Sequence, residues 1–243
     1  MLLGVIEFWN MLSVQRRKII VAASLLLLVL SQGQAQVDRK SYNYLEYKNK
    51  SYYFGISLGF NSSKHQLFHS KDFIGNPQIE GAQGAAGPGF NVHGIVNYKF
   101  GEYFDFRILP GFTFATRYLD FNNTNRRDIE SIFVEVPFHV RYKSAPYKDK
   151  RAYVVAGINY SYDVASNSKT RQAETLIRIS PNDFQVEVGV GMQFFFPYFI
   201  LSPEIKFSQG ITNTLLFNDQ IVEASVIEKL LSRVFTLSFH FEG

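Results

Sequence analysis

From Arg233 the chain reads Arg-Val-Phe-Thr-Leu-Ser-Phe-His-Phe-Glu, which puts Phe235, Leu237, Phe239 and Phe241 on one side of a strand and Val234, Thr236, Ser238, His240 and Glu242 on the other. The period is two, the repeat of a strand. A half-buried strand of a soluble sandwich also alternates. Here, however, the apolar face is large and aromatic while the opposite face carries His240 and Glu242. That combination suits a closed barrel with lipid outside and polar groups inside. Arg233 to Glu242 is therefore read as the strand that closes the barrel.

Seven more segments repeat the pattern: Tyr52 to Asn61, Gly89 to Phe100, Phe104 to Tyr118, Ile132 to Lys143, Ala152 to Asp163, Phe184 to Phe196 and Phe199 to Ser208. In the first, Tyr52, Phe54, Ile56, Leu58 and Phe60 oppose Tyr53, Gly55, Ser57, Gly59 and Asn61. The expectation is an all-β fold, an eight-stranded antiparallel transmembrane β-barrel of residues 51–243 with a lumen filled by side chains, in the outer membrane and against its lipid. The chain contains 24 Phe and 14 Tyr along its length, which a soluble fold would have to hide and a lipid-facing wall would not. Connections after strands one, three, five and seven are expected to be long and external, and those after two, four and six short. Aromatic residues at the short-turn end, among them Tyr52, Phe100, Phe104, Tyr142 and Phe199, are expected to form a girdle. Pro110, Pro137 and Pro203 fall inside strands, where each removes a ladder donor, so bulges or distortions are expected there.

Ahead of the barrel, Arg16-Arg17-Lys18, the apolar run Ile19 to Leu30 and Ser-Gln-Gly-Gln-Ala-Gln follow in the order of a secretory signal. Residues 1–36 are read as that signal, with Met11 as an alternative start, and 37–50 as a polar periplasmic tail without periodicity. The absence of Cys excludes disulfide scaffolds and Cys-ligated metal sites. The net charge of +4 includes the basic cluster of the signal, so no nucleic-acid footprint is expected in the mature chain.

Candidate chemistry is sparse. Gly55-Ile56-Ser57-Leu58-Gly59 spells the hydrolase elbow, but that motif needs a strand-to-helix turn and these letters lie mid-strand. His65 and His69 stand four apart on a segment without helical pattern, so no metal site is expected. Nor is any cofactor or small-molecule substrate. The inward charges Lys99, Asp105, Arg107, Glu135, Arg141, Glu187, Glu204 and Lys206 are read as a structural network, with Arg107 and Glu135 as one candidate pair, because a lone buried charge is costly. A two-residue turn at Pro197-Tyr198 would set Glu204 against Gly191 and Lys206 against Gly189, leaving room for the long side chains. Catalytic or proton-relay use of the same charges is the alternative. Val222, Val226, Ile227, Leu230 and Leu231 recur at helical spacing, suggesting a short amphipathic helix near the mouth that packs locally or docks a partner.

Four stretches carry a further resemblance: Tyr-Tyr-Phe-Gly-Ile-Ser-Leu-Gly-Phe-Asn from Tyr52, Glu-Tyr-Phe-Asp-Phe-Arg-Ile-Leu-Pro-Gly from Glu102, Val-Glu-Val-Pro-Phe-His-Val-Arg-Tyr-Lys-Ser from Val134 and Tyr-Val-Val-Ala-Gly from Tyr153. In this combination the chain resembles the PorT (SprT) family of outer-membrane barrels associated with type IX secretion. The resemblance implies a non-enzymatic secretion component, partnered by other type IX components and, in gliding bacteria, required for motility. An adhesin-like structural barrel and an outer-membrane enzyme are the alternatives.

Overall fold

In the computed structural model, which describes residues 42–69, 82–121, 125–165, 178–216 and 227–243, the first long strand pairs on both sides. This strand, β1 (Tyr52–His69), is hydrogen-bonded to β2 (Ala82–Phe100) and also to the last strand, β11 (Ile227–Glu242). Between them the sheet runs through β3 (Phe104–Ile108), β4 (Gly111–Phe121), β5 (Asn125–Lys143), β6 (Lys150–Asp163), β8 (Asn182–Phe195) and β9 (Ile200–Gly210), every neighbour antiparallel. Strands β7 (Arg178–Ile179) and β10 (Leu215–Leu216) pair with each other outside the ring. Since β3 and β4 both lie between β2 and β5, they are two halves of one stave, and the ring has eight.

Closure leaves the alternating side chains two environments. On β1, Phe60 is 69% exposed and Asn61 only 6%. The same inversion, apolar groups outside and polar groups inside, holds along the barrel strands. A continuous apolar surface of that extent is untenable in water and natural in lipid.

Two prolines together divide β3 from β4. Gly94 N donates to Pro110 O at 2.8 Å and Leu109 N donates to Pro137 O at 3.0 Å, but neither proline has an N–H to return the bond. Two missing donors fall at one level of the wall, and the ladder lapses there. The register does not shift: Ile108 faces Phe138 before the gap and Gly111 faces Glu135 after it. At Pro203 the β8–β9 register is likewise the same on both sides, with Gly191 opposite Glu204 and Phe194 opposite Leu201. The expected distortions therefore exist as lost bonds, without bulges. Register shifts fall instead between Ala86 and Gly89, where Pro88 lies, and between Phe68 and His69.

The strands run further than alternation alone suggested. Residues 62–69 and 82–88, expected in an external loop, belong to β1 and β2, and the connection after β4, expected to be long, is only 122–124. A spanning strand needs roughly 9 to 11 residues. Several staves therefore extend well past the bilayer, and β5 begins eight residues before its first partner on β6, the pair Phe133 and Asp163. The expected helix is corrected too. Ile227, Leu230 and Leu231 are in β11, where Leu230 is fully buried and pairs with Leu67. Hydrogen bonding to the β1 edge satisfies this backbone, so pairing overrides the helical spacing. Val222 and Val226 lie outside the described residues, as does the signal at 1–36.

The end with the short turns is closed from below. Helix α1 (Tyr44–Lys48), in what was read as an aperiodic tail, buries Tyr44 and Tyr47 against Phe195 and Ile200. Asn43 Nδ2 donates to Phe195 O at 3.2 Å, and Tyr47 Oη to Phe196 O at 3.2 Å. Around this end Phe104 packs on Tyr142 at 5.1 Å, Phe196 on Phe199 at 5.0 Å and Phe199 on Phe241 at 6.1 Å, in accord with the expected girdle. At the opposite end Phe90 stacks on Phe114 at 4.5 Å and Tyr160 meets Phe184 at 4.9 Å.

Candidate functional site

The polar groups with the greatest burial line the lumen, and β5 orders them. Its inner face presents Lys143, Arg141, His139 and, past Pro137, Glu135 in turn from the α1 end, with inward positions about 7 Å apart because they recur every second residue. Lys143 and Arg141 serve one cluster, His139 a second and Glu135 a third.

At the first level Arg141 Nη2 donates to Asp105 Oδ2 at 3.0 Å and to Asn97 Oδ1 at 2.7 Å, and Nη1 donates to Glu242 Oε1 at 3.0 Å. Lys143 Nζ bonds the other oxygen of Asp105, and Tyr53 Oη donates to Asp105 Oδ2 at 3.0 Å. The guanidinium fork engages two carboxylates from different strands, which ties the start of the barrel to its last residues.

At the second level Arg107 Nη2 lies 2.5 Å from Glu204 Oε2 and donates to His139 Nδ1 at 3.2 Å. An arginine only donates, so Nδ1 of His139 is the acceptor and Nε2 carries the proton directed at Glu187 Oε2, 2.5 Å away. Lys206 Nζ and Ser208 Oγ complete Glu187 at 3.0 and 2.8 Å. Tyr153 Oη donates to Glu204 at 2.9 Å and His240 Nε2 stands 3.4 Å from it. Arg107, Arg141, Lys143 and Lys206 thus balance Asp105, Glu187, Glu204 and Glu242, and all eight are buried.

Two sequence expectations need correcting here. Glu135 is not the partner of Arg107. It meets His93 Nε2 at 3.3 Å and accepts from Thr113 Oγ1 at 2.9 Å, because the proline gap separates its level from that of Arg107. Lys99 leaves the network: its Nζ donates to Tyr47 O at 2.7 Å and Lys48 O at 2.9 Å, satisfying carbonyls at the end of α1. The structure brings Asp105, Arg107, Arg141, Glu187, Glu204 and Lys206 together, and Glu204 faces Gly191 and Lys206 Gly189. Missing from the sequence-derived network were Lys143, Glu242, His139, His240, Tyr53 and Tyr153. Strand parity, applied without regard to residue type, would have found each of them.

Beyond Glu135 the lumen holds a small polar cavity of about 20 Å³ bordered by Asn61, Asn91, Thr113, Arg117, Asn159 and Gln185 among others. Its free space suits about one or two water molecules. Ser57 lies between His93 on β2 and His240 on β11, and each ring is near a carboxylate. Yet no hydrogen bond joins Ser57 to either imidazole, and at 1% exposure its hydroxyl is closed to a substrate. Among the described residues no cluster of His, Asp and Glu has the form of a metal site.

No curated protein matches the sequence. Among solved structures, the chain is similar to the outer membrane protein OprG of Pseudomonas aeruginosa, at 11% identity and a TM-score of 0.49 over 80% of this chain and 97% of that one. It is also similar to AlkL in lipid bilayers, at 12% identity and a TM-score of 0.47 over 86% and 95%. Neisserial surface protein A aligns at 9% identity and a TM-score of 0.43 over 77% and 96%. The family described as outer membrane protein beta-barrel domain matches residues 34–216, most of the sequence. The closed ring, its apolar exterior and that match lead to one conclusion: the chain belongs to the outer membrane protein beta-barrel domain family and is a small barrel of the outer membrane.

Proposed function

We propose that this protein is a filled, non-conducting barrel that acts through contacts at its surfaces and performs no chemistry. The observation that carries the reading is the internal charge balance of the two lumen levels nearest α1. Its buried cations at Arg107, Arg141, Lys143 and Lys206 each meet a carboxylate, in a barrel just wide enough for side chains to fill. A catalytic group needs an approach for substrate, and the buried Ser57 offers none. The finer reading is a component of the type IX secretion machinery that contacts other components, with residues 1–36 as its export signal. Support for it comes from the stretches beginning at Tyr52, Glu102, Val134 and Tyr153. A structural or adhesin-like barrel is the second reading, favoured by the length of β1, β2 and β5, each of which outruns a bilayer crossing.

Deletion of the gene separates these readings. Loss of export of cargo bearing a C-terminal targeting domain, with envelope integrity unchanged, is the result expected of a type IX component. Normal export would leave the adhesin-like barrel. His139→Ala or Ser57→Ala protein that is folded and abundant but exports nothing would overturn the binding reading in favour of an enzyme.

A further inference from the structure

We propose that Lys64 on β1 and Arg233 on β11 form a binding site for the phosphate of an outer-leaflet glycolipid. The two residues stand directly opposite each other in the β1–β11 register, on the outward face of the wall. Like charges so placed repel and destabilise the pair of strands. Neither makes an ion pair with another described residue, and no described carboxylate offsets that repulsion.

Arg233 is nevertheless held in place. Its Nε donates to Gln209 Oε1 at 3.0 Å and its Nη2 to Gln66 Oε1 at 2.5 Å, while the guanidinium lies 5.9 Å from the Phe207 ring centroid. Both acceptors are neutral, so the positive charge is oriented without being neutralised. A fixed guanidinium fork beside an ammonium is suited to phosphate, which accepts from both. Depth identifies the source of that phosphate. Along the outward row Lys64 is two residues past Ser62, the partner of Phe235, and four past Phe60, whose ring is exposed to the apolar phase. Lys64 is thus the thirteenth residue of β1, just past the roughly 9 to 11 that cross a bilayer, which is the level of headgroups. The end lies opposite α1 and the C-terminus, so it meets the outer leaflet of an outer-membrane barrel. Lys229, exposed and opposite Phe68, adds positive charge further out on the same two strands. The site is independent of whichever protein the barrel serves.

Binding of bis-phosphorylated lipid A, and of the same lipid A without its phosphates, to the full-length protein in detergent micelles tests the assignment. The phosphorylated form should bind roughly tenfold more tightly, the contribution of one or two charge-assisted hydrogen bonds. Lys64→Gln combined with Arg233→Gln should abolish that preference, whereas Lys150→Gln, at the opposite end, should retain it. A preference unchanged in the double variant overturns the proposal. Should the double variant not fold, Lys64→Gln alone, which breaks no hydrogen bond among the described residues, must reduce the preference several-fold or the proposal fails. Displacement of lipid A by excess inorganic phosphate would make this a free-anion site and overturn its assignment to lipid.

Discussion

Arg107 meets Glu204 across the lumen at 2.5 Å, although 97 positions separate them in the chain. The contact spans the barrel from β3 to β9 and joins two staves that share no ladder. Its consequence is mechanical: the wall of the barrel is braced from within by charge. Removal of either partner leaves the other buried and alone. Arg107→Ala or Glu204→Ala should therefore cost about 3 to 5 kcal/mol, whereas joint replacement by Met and Leu should cost far less. Denaturant titration in micelles, read by loss of the heat-modifiable band, checks both. Equal losses in the single and joint variants would show that the pair does not act as a unit.

Gly191 makes room for that brace. A Cβ at this position would lie 2.4 Å from Tyr153 Cζ and 2.8 Å from Pro203 O. Gly191→Ala should push Tyr153 off Glu204 and destabilise the barrel by about 1 to 3 kcal/mol, as overpacking does. Adding Tyr153→Phe, which deletes the displaced hydroxyl, should leave most of that loss, because the Pro203 carbonyl remains in the way. The same unfolding assay compares them.

At the other end of the network Lys99 anchors α1 through the Tyr47 and Lys48 carbonyls. Lys99→Ala or Tyr47→Ala should free residues 42–50 for proteolysis while the barrel strands keep their ladders, because both side chains hold α1 and neither contact is part of the strand pairing. Limited proteolysis followed by mass measurement gives the answer. Protection unchanged in both variants would mean that the segment is held elsewhere.

Orientation follows from the short turns and can be tested with single thiols, because the chain has no native Cys. Glu228 on β11 and Lys148 in the turn before β6 are both exposed and lie at opposite ends. In intact cells an impermeant thiol reagent should modify Glu228→Cys and spare Lys148→Cys. The reverse pattern would invert the barrel.

Alternation along the strands was enough to identify the fold, because a side-chain period of two is a property of one strand by itself. Phe235 to Phe241 announced a lipid-facing surface, and the parity of Asp105, Arg107, Arg141, Glu187, Glu204 and Lys206 sent all six into the lumen before any partner was known. Partner choice was another matter. Arg107 could not be paired from sequence, since its height relative to Glu135 and Glu204 depends on the stagger of staves around a closed ring and on the proline gap at Pro110 and Pro137. The helical spacing of Ile227, Leu230 and Leu231 was real, but a neighbouring β1 edge with unpaired amides decided their conformation. The same holds for Lys99, which parity directed inward and which α1 drew to its own carbonyls. Local chemistry determines which face a residue occupies; ring closure, which joins residues far apart in the chain, determines what it meets there.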